Sequence, residues 1–258
     1  MKRLLIAMCL LLPPRQWIIG YWVVILALLA TITIGLEPTG ETTATLWNLP
    51  LINFGVTARQ IQAQALIEMA CHAWTLITLP MFCLFGLKPL LHSFRSDFRL
   101  FLRYSNSSRI FMESARLLSL STLILIACAP LTVVMLWGYT TPGLTSTEVI
   151  GGMLSYIAPT LFIASLVYAL GAIKVPYEMA VSIGIISPFL IEGVCTFLKK
   201  SGQIMFLNYM PPGLPYSIDT LSSPALKTAL IFYSLMIGIR LMANVRTQWI
   251  CRIEESMT

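Results

Sequence analysis

The sequence predicts an all-α polytopic membrane protein, a single transmembrane domain over residues 1–258 that is a bundle of six transmembrane helices. Of the 258 residues, 57% are apolar and only 11% are charged, and the mean hydropathy is +0.81. A soluble domain carries roughly a quarter charged residues, so this chain has too little polar surface to cover a core in water. It also contains six apolar runs of about 20 residues, the length that crosses the hydrocarbon of a bilayer as a helix.

The elements follow from these runs and from the segments between them. The predicted spans lie near residues 17–36, 66–87, 117–138, 149–172, 176–198 and 225–243. Residues 1–16 begin with Lys2 and Arg3 and hold an apolar run too short to cross, which predicts a helix lying in the cytoplasmic interface. The sequence lacks the ten-residue alternation of outer-membrane strands, so a helical bundle is favoured over a barrel.

The distribution of basic residues predicts the orientation. Thirteen of the 17 Lys and Arg residues fall on the side that holds both termini. Cytoplasmic loops carry the excess of Lys and Arg, so we expect an integral, multi-pass protein of the plasma (inner) membrane with both termini in the cytoplasm. This arrangement accounts for the net charge of +6, and nucleic-acid binding is not predicted.

Residues 88–116, between spans two and three, form the most informative segment. Arg95, Arg99 and Arg103 recur at every fourth position, with Phe98 and Leu102 on the adjoining face of the same predicted helix. This is the pattern of a basic amphipathic helix. It favours either a helix lying on anionic headgroups or a docking surface for a cytoplasmic partner.

A second helix is predicted to begin directly after this one. The polar run 105–108 breaks the first helix, and Arg109, Glu113 and Arg116 then follow at i, i+4 and i+7. Together the two helices resemble the coupling-helix region of the ABC-2 type transporter permeases, which are six-span subunits of similar length. Asn208 and Pro211 ahead of the last span are similar to an Asn-Pro pair of that family, and the interfacial N-terminal helix also fits.

The resemblance implies a function and its partners. The chain would be a permease subunit that exports an amphiphilic or hydrophobic substrate and is not itself an enzyme. It would contact a cytoplasmic ATP-binding-cassette ATPase subunit and pair with a second permease subunit, as a homodimer or a heterodimer. The sequence has no P-loop, so ATP and Mg would be bound by the partner and no cofactor by this chain. The residues implied in the ATPase contact are Phe98, Arg99, Leu102, Arg103, Arg109 and Glu113.

Residues 199–224, between spans five and six, are hydrophobic for an extracytoplasmic loop. They fit either a re-entrant hairpin, with Asn208 and Pro211 at an outer gate, or an interfacial loop. Three further ionisable residues, Glu68, His72 and Glu192, lie in the outer parts of spans two and five. They are candidates for the substrate path or a proton relay, since ionisable groups at depth are often functional, or they form structural hydrogen bonds.

Two other functions remain open at this point. An ion- or proton-coupled carrier would use Glu68, His72 and Glu192, whereas a non-transporting scaffold would use the Arg-rich loop alone. An intramembrane enzyme is disfavoured because no catalytic or metal-binding motif is found in the sequence. Two His and scattered Cys predict no metal site.

Overall fold

The computed structural model describes residues 2–38, 43–46, 49–52, 68–94, 109–140, 146–207, 210, 213–214, 230–231, 234–235 and 238. Helices dominate this part of the chain. They are α1 (Lys2–Leu11), α2 (Arg15–Gly35), α3 (Glu68–His92), α4 (Arg109–Thr140), α5 (Ser146–Ala172), α6 (Tyr177–Lys200) and the short α7 (Ile204–Leu207).

Four of the described helices are long and apolar enough to cross a membrane, which indicates a membrane protein. They are α3, Phe111–Leu136 of α4, Val149–Ala172 of α5, and α6, and they coincide with predicted spans two to five. Predicted span 17–36 falls on α2, whose 21 residues are strongly apolar. Predicted span 225–243 lies outside the described residues except for five isolated positions.

A small antiparallel sheet, which the all-α prediction missed, follows α2. Its strands are β1 (Leu36–Pro38), β2 (Thr43–Leu46) and β3 (Leu49–Ile52), in the order β1-β2-β3. Leu46 pairs with Leu49 across a two-residue connection, the shortest hairpin link. Pro38 and Pro50 both lie on edge strands, where a missing N–H is tolerated. Thr-rich segments of this kind favour strands, but the run is too short to show a clear period of two.

Successive long helices pack antiparallel, as the predicted topology requires. The Tyr21 hydroxyl of α2 lies 2.9 Å from Thr78 Oγ1 of α3, and Thr132 Oγ1 of α4 lies 3.0 Å from the Tyr156 hydroxyl of α5. Gly184 of α6 packs against Val167 of α5 and Cys83 of α3. One end of the bundle, here called the basal end, therefore holds the start of α2, the end of α3, the start of α4, the end of α5 and the start of α6.

The centre of the bundle is apolar with hydrogen-bonded polar groups inserted into it. Trp74 is 1% exposed, and its Nε1 donates to Thr160 Oγ1 at 2.8 Å. Thr160 donates in turn to the Tyr156 carbonyl at 2.5 Å. Buried polar groups in such a setting need partners because no water satisfies them. These bonds therefore fix the rotation of α3 against α5.

The prolines inside the spans are accommodated in two ways. Pro80 of α3 lies between two π-helical segments, Trp74–Thr78 and Phe82–Gly86, and such wider turns absorb a break in the α-helical ladder. Pro188 of α6 cannot bond to the Gly184 carbonyl, to which Ser187 Oγ instead donates at 3.2 Å. Neighbouring hydroxyls commonly restore such lost bonds in membrane helices.

Candidate functional site

A buried ionic cluster lies at the basal end, where α3 ends, α4 begins and α5 ends. We call it the anchor cluster, and it consists of Ser93, Phe94, Glu113, Arg116 and Tyr168. Glu113 and Arg116 lie on one face of the first turns of α4, since residues three apart in a helix are neighbours. They are only 3% and 5% exposed. Charged side chains are almost never buried so deeply without partners.

The carboxylate of Glu113 is held from two helices. Arg116 Nη1 donates to Glu113 Oε1 at 2.7 Å, and the Tyr168 hydroxyl of α5 donates to Glu113 Oε2 at 2.5 Å. Both oxygens therefore have a partner, and the short distances are typical of charge-assisted hydrogen bonds. Through this carboxylate, the start of α4 is tied to the end of α5.

The guanidinium of Arg116 binds the residues that end α3. Its Nε donates to Ser93 Oγ at 2.9 Å, and its Nη2 donates to the Ser93 carbonyl. Its Cζ lies 4.3 Å from the centre of the Phe94 ring, a cation–π contact that strengthens when it is shielded from water. A planar guanidinium can serve all of these partners at once, which the ammonium of a lysine cannot.

The aromatic rings of the cluster also pack tightly. Phe94 meets Tyr168 edge to face, with ring centres 5.3 Å apart. A Cβ on Gly171 would lie 2.8 Å from Leu91 Cδ2 and 2.9 Å from Phe94 Cδ2. The last turn of α5 thus lies so close to the end of α3 that a side chain at position 171 would require Leu91 and Phe94 to shift. Small residues permit such approaches between membrane helices.

The anchor cluster lies on both sides of the predicted coupling segment, residues 95–108, which connect Phe94 to Arg109. The cluster therefore fixes the chain before and after this segment. The predicted contact residues Phe98, Arg99, Leu102 and Arg103 lie outside the described residues. Arg109 is the first residue of α4, and its side chain is likewise outside the description.

Glu113, one of the residues implied in the ATPase contact, is buried, and its carboxylate accepts hydrogen bonds from Arg116 and Tyr168 inside the bundle. Its predicted spacing with Arg109 stays a prediction, because the side chain of Arg109 lies outside the described residues. Tyr168 was missed because an isolated tyrosine in an apolar run gives no periodic signal. Ser93 was also missed, although a serine just after a span is an ordinary cap residue.

Three other sequence candidates, Glu68, His72 and Glu192, lie away from the anchor cluster, in the opposite half of the bundle. Glu68 and His72 are exposed residues on the first turns of α3, and Glu192 is half-buried on α6. Asn208 and Pro211 lie outside the described residues, but Gly213 and Leu214 beside them are described. A Cβ on Gly213 would lie 3.2 Å from both Glu192 Oε2 and the Pro188 carbonyl.

The segment after α6 therefore turns back along that helix. Pro188 and Glu192 precede the end of α6 at Lys200 by 12 and 8 residues, which corresponds to about 12–18 Å along the axis. Leu214 is 7% exposed and belongs to the central core.

Comparison with protein-family models, curated proteins and solved structures finds no match to this chain.

Proposed function

We propose that the protein is the permease subunit of an ABC-2-like transporter. It would have six spans with both termini in the cytoplasm of the plasma (inner) membrane, and it would pair with a second permease subunit. A separate ATPase subunit would bind and hydrolyse ATP, and the transporter would export an amphiphilic or hydrophobic substrate. The Arg-rich segment 95–108 would dock on that ATPase.

The anchor cluster is the observation that carries this proposal. A segment that converts movement of a partner into movement of membrane helices needs stiff connections at both of its ends. Ser93 and Phe94 lie directly before segment 95–108, and Arg116 lies in the helix that follows it. Buried contacts of the Arg116 guanidinium join the two sides. Tyr168 extends the same connection to α5. Displacing the segment would therefore move α3, α4 and α5 together.

The turn after α6 supports the outer part of the proposal. Gly213 and Leu214 lie beside α6 at a depth well below its outer end. Irregular backbone at membrane depth is tolerated where protein covers it. A hairpin in this position can close the outer end of a path between two permease subunits, which is the role proposed for Asn208 and Pro211.

The partner interaction is tested by purification of the tagged chain in mild detergent, with identification of co-purifying proteins and an ATPase assay. We expect a stoichiometric ATPase with a P-loop. The double variant Arg99→Glu with Arg103→Glu should lose it, because reversing two charges on a docking surface opposes binding. The matched control reverses Lys88 and Lys174, two exposed cations at the same basal end.

The result separates docking from general charge effects. Loss of the ATPase in the Arg99/Arg103 variant and retention in the Lys88/Lys174 variant would support the proposal. No co-purifying ATPase with a folded wild-type bundle, or equal retention in both double variants, would contradict it. Size-exclusion profiles of each variant establish that the bundle is intact.

A further inference from the structure

A second feature of the basal half is an apolar groove between α2, α3 and α4. Trp17 and Tyr21 of α2 line one wall, Phe85 and Gly86 of α3 another, and Ala127 of α4 lies at the inner end. The groove spans about 400 Å³, a volume that includes the space open to its surroundings. Gly86, which lines the groove, is the last residue of the second π-helical segment, Phe82–Gly86.

The polar groups at the inner end of the groove already have hydrogen-bond partners within the protein. The Tyr21 hydroxyl donates its proton to the Ala127 carbonyl at 2.6 Å. Thr78 Oγ1 lies 2.9 Å from the same hydroxyl, so the threonine is the donor of that bond. The polar atoms at this end therefore satisfy one another. A polar ligand would lose its hydration here without compensation, whereas hydrocarbon would not.

The mouth of the groove, at the basal end of the bundle, is suited to a charged group instead. Trp17 is 46% exposed and stacks on Phe85 with ring centres 4.2 Å apart, and tryptophan is the residue that favours the membrane–water boundary. Two residues earlier, exposed Arg15 opens α2. The positive end of the helix dipole adds to its charge. An anion at this position is therefore favoured by both.

Lys88 lies at the same end of the bundle but belongs to another surface. Its Nζ is 6.0 Å from the centre of the Tyr177 ring of α6, and it is not among the residues that line the groove. Among the cations whose side chains the structure describes, Arg15 is the one that lies between the lining residues Pro13 and Trp17 in the chain, at the mouth of the groove. An apolar slot with a cation and an indole at its interfacial end matches a lipid that has an anionic headgroup.

We propose that this groove binds one acyl chain of an anionic phospholipid, with the lipid phosphate at Arg15 and the first turn of α2. From Thr78 to Gly86 the groove extends about 10–12 Å along α3, enough for the upper half of an acyl chain. The lining residues belong to α2, α3 and α4 and to Pro13 before α2, and lipid binding there does not depend on a transport function.

The test is native mass spectrometry of the full chain in mixed micelles of detergent with phosphatidylglycerol and phosphatidylcholine. We expect the wild type to retain one phosphatidylglycerol in preference to phosphatidylcholine. Arg15→Gln should reduce phosphatidylglycerol retention about tenfold, the effect of losing one charge-assisted hydrogen bond. Lys88→Gln is the charge control and should leave retention unchanged.

A second pair of variants tests the groove itself. A Cβ at Gly86 meets no atom closer than 3.6 Å, so Gly86→Leu should fold while its side chain enters the groove, and both lipids should be lost. Gly193→Leu, with open space around it, is the size control and should retain phosphatidylglycerol. The inference is overturned if Gly86→Leu keeps the lipid, if Arg15→Gln has no effect, or if the wild type retains both lipids equally. Thermal unfolding without lipid shows which variants are folded, and Ala127→Leu fills the same groove if Gly86→Leu is not.

Discussion

At the scale of single residues, Arg116 shows why a membrane protein can bury a full charge. Its guanidinium donates hydrogen bonds to Glu113 and to the hydroxyl and carbonyl oxygens of Ser93, and it lies over the ring of Phe94. A buried pair of this kind is not necessarily more stable than an apolar pair of similar volume, but removing one partner leaves an uncompensated charge. Replacing both charged side chains and removing only one of them therefore have different effects on stability.

The first prediction concerns this asymmetry. Glu113→Ala should lower the free energy of unfolding by about 3–5 kcal/mol, because Arg116 then stays buried without its counter-charge. The double variant Glu113→Leu with Arg116→Met should lose less than Glu113→Ala alone, since neither charge remains. Denaturation of the purified protein in detergent measures both. A double variant that loses as much stability as Glu113→Ala, or more, would contradict the prediction.

The second prediction compares two helix ends with the same backbone geometry. Lys174 has φ of 64° and Gly202 has φ of 74°. In each case the next residue bonds back five positions, Val175 to Leu170 and Gln203 to Leu198, both at 3.0 Å. This is the Schellman end of a helix, where glycine is favoured.

The side chain at these two positions should therefore have opposite effects. Lys174→Gly should raise the free energy of unfolding by about 1 kcal/mol, and Gly202→Ala should lower it by a similar amount. Thermal unfolding of the two variants beside the wild type measures the difference. A destabilised Lys174→Gly would indicate that the lysine side chain contributes a contact larger than its backbone strain.

At the scale of elements, two glycines set how closely the helices approach. Gly171 brings α5 onto the end of α3, and Gly184 brings α6 onto α5 and α3. A Cβ at Gly184 would lie 2.9 Å from Val167 Cγ2 and 3.2 Å from Cys83 Sγ. Gly193, nine residues later on the same helix, has nothing within 4 Å. Gly184 is therefore needed for close helix packing, whereas Gly193 is not.

The third prediction uses this matched pair. Gly184→Ala should destabilise the bundle by about 1–3 kcal/mol, because the packed helices have to separate to admit a methyl group. Gly193→Ala should be neutral or stabilising by up to about 1 kcal/mol, since alanine favours a helix and meets no neighbour. Unfolding midpoints in one detergent compare the two. Equal effects would show that α6 is held mainly by other contacts.

The elements themselves differ in how well the sequence predicts them. The long apolar runs predict α2 to α6 to within a few residues at most ends, since hydrocarbon leaves the backbone little choice but helix. The π-helical turns around Pro80 were not predicted, because they depend on how α3 packs against its neighbours. The contact of Glu113 with Tyr168 was not predicted, for the same reason. Spacing within one helix shows which side chains share a face, but Tyr168 is 55 residues away in the chain.

At the scale of the whole molecule, the charges of the described residues agree with the alternating helix directions. Arg15, Lys88, Arg116 and Lys174 lie toward the basal end, and Lys199 and Lys200 lie at the other end of α6. The positive-inside rule therefore predicts that the basal end faces the cytoplasm. The end of α5 and the end of α6 should then be on opposite sides of the membrane.

The fourth prediction tests this orientation with a membrane-impermeant maleimide. Ile173, 73% exposed between α5 and α6, and Ser201, exposed after α6, are each replaced by cysteine. The background carries Cys9→Ser, Cys195→Ser and Cys251→Ser, and it keeps Cys71, Cys83 and Cys128, which are buried. Buried thiols react slowly, so labelling reports the introduced residue.

Ile173→Cys should be labelled in inside-out vesicles and Ser201→Cys in right-side-out vesicles. The reverse pattern would place the basal end outside, where segment 95–108 could not reach a cytoplasmic ATPase, and the proposed function would fail with it. Labelling of both positions from one side would mean that α6 does not cross the membrane. Since α6 is the most exposed of the four apolar helices, only 28% buried among the described residues, lipid, another chain or residues of this chain outside the described part have to cover the rest of it. A spanning α6 satisfies that requirement, because the apolar surroundings of a membrane then cover its apolar face.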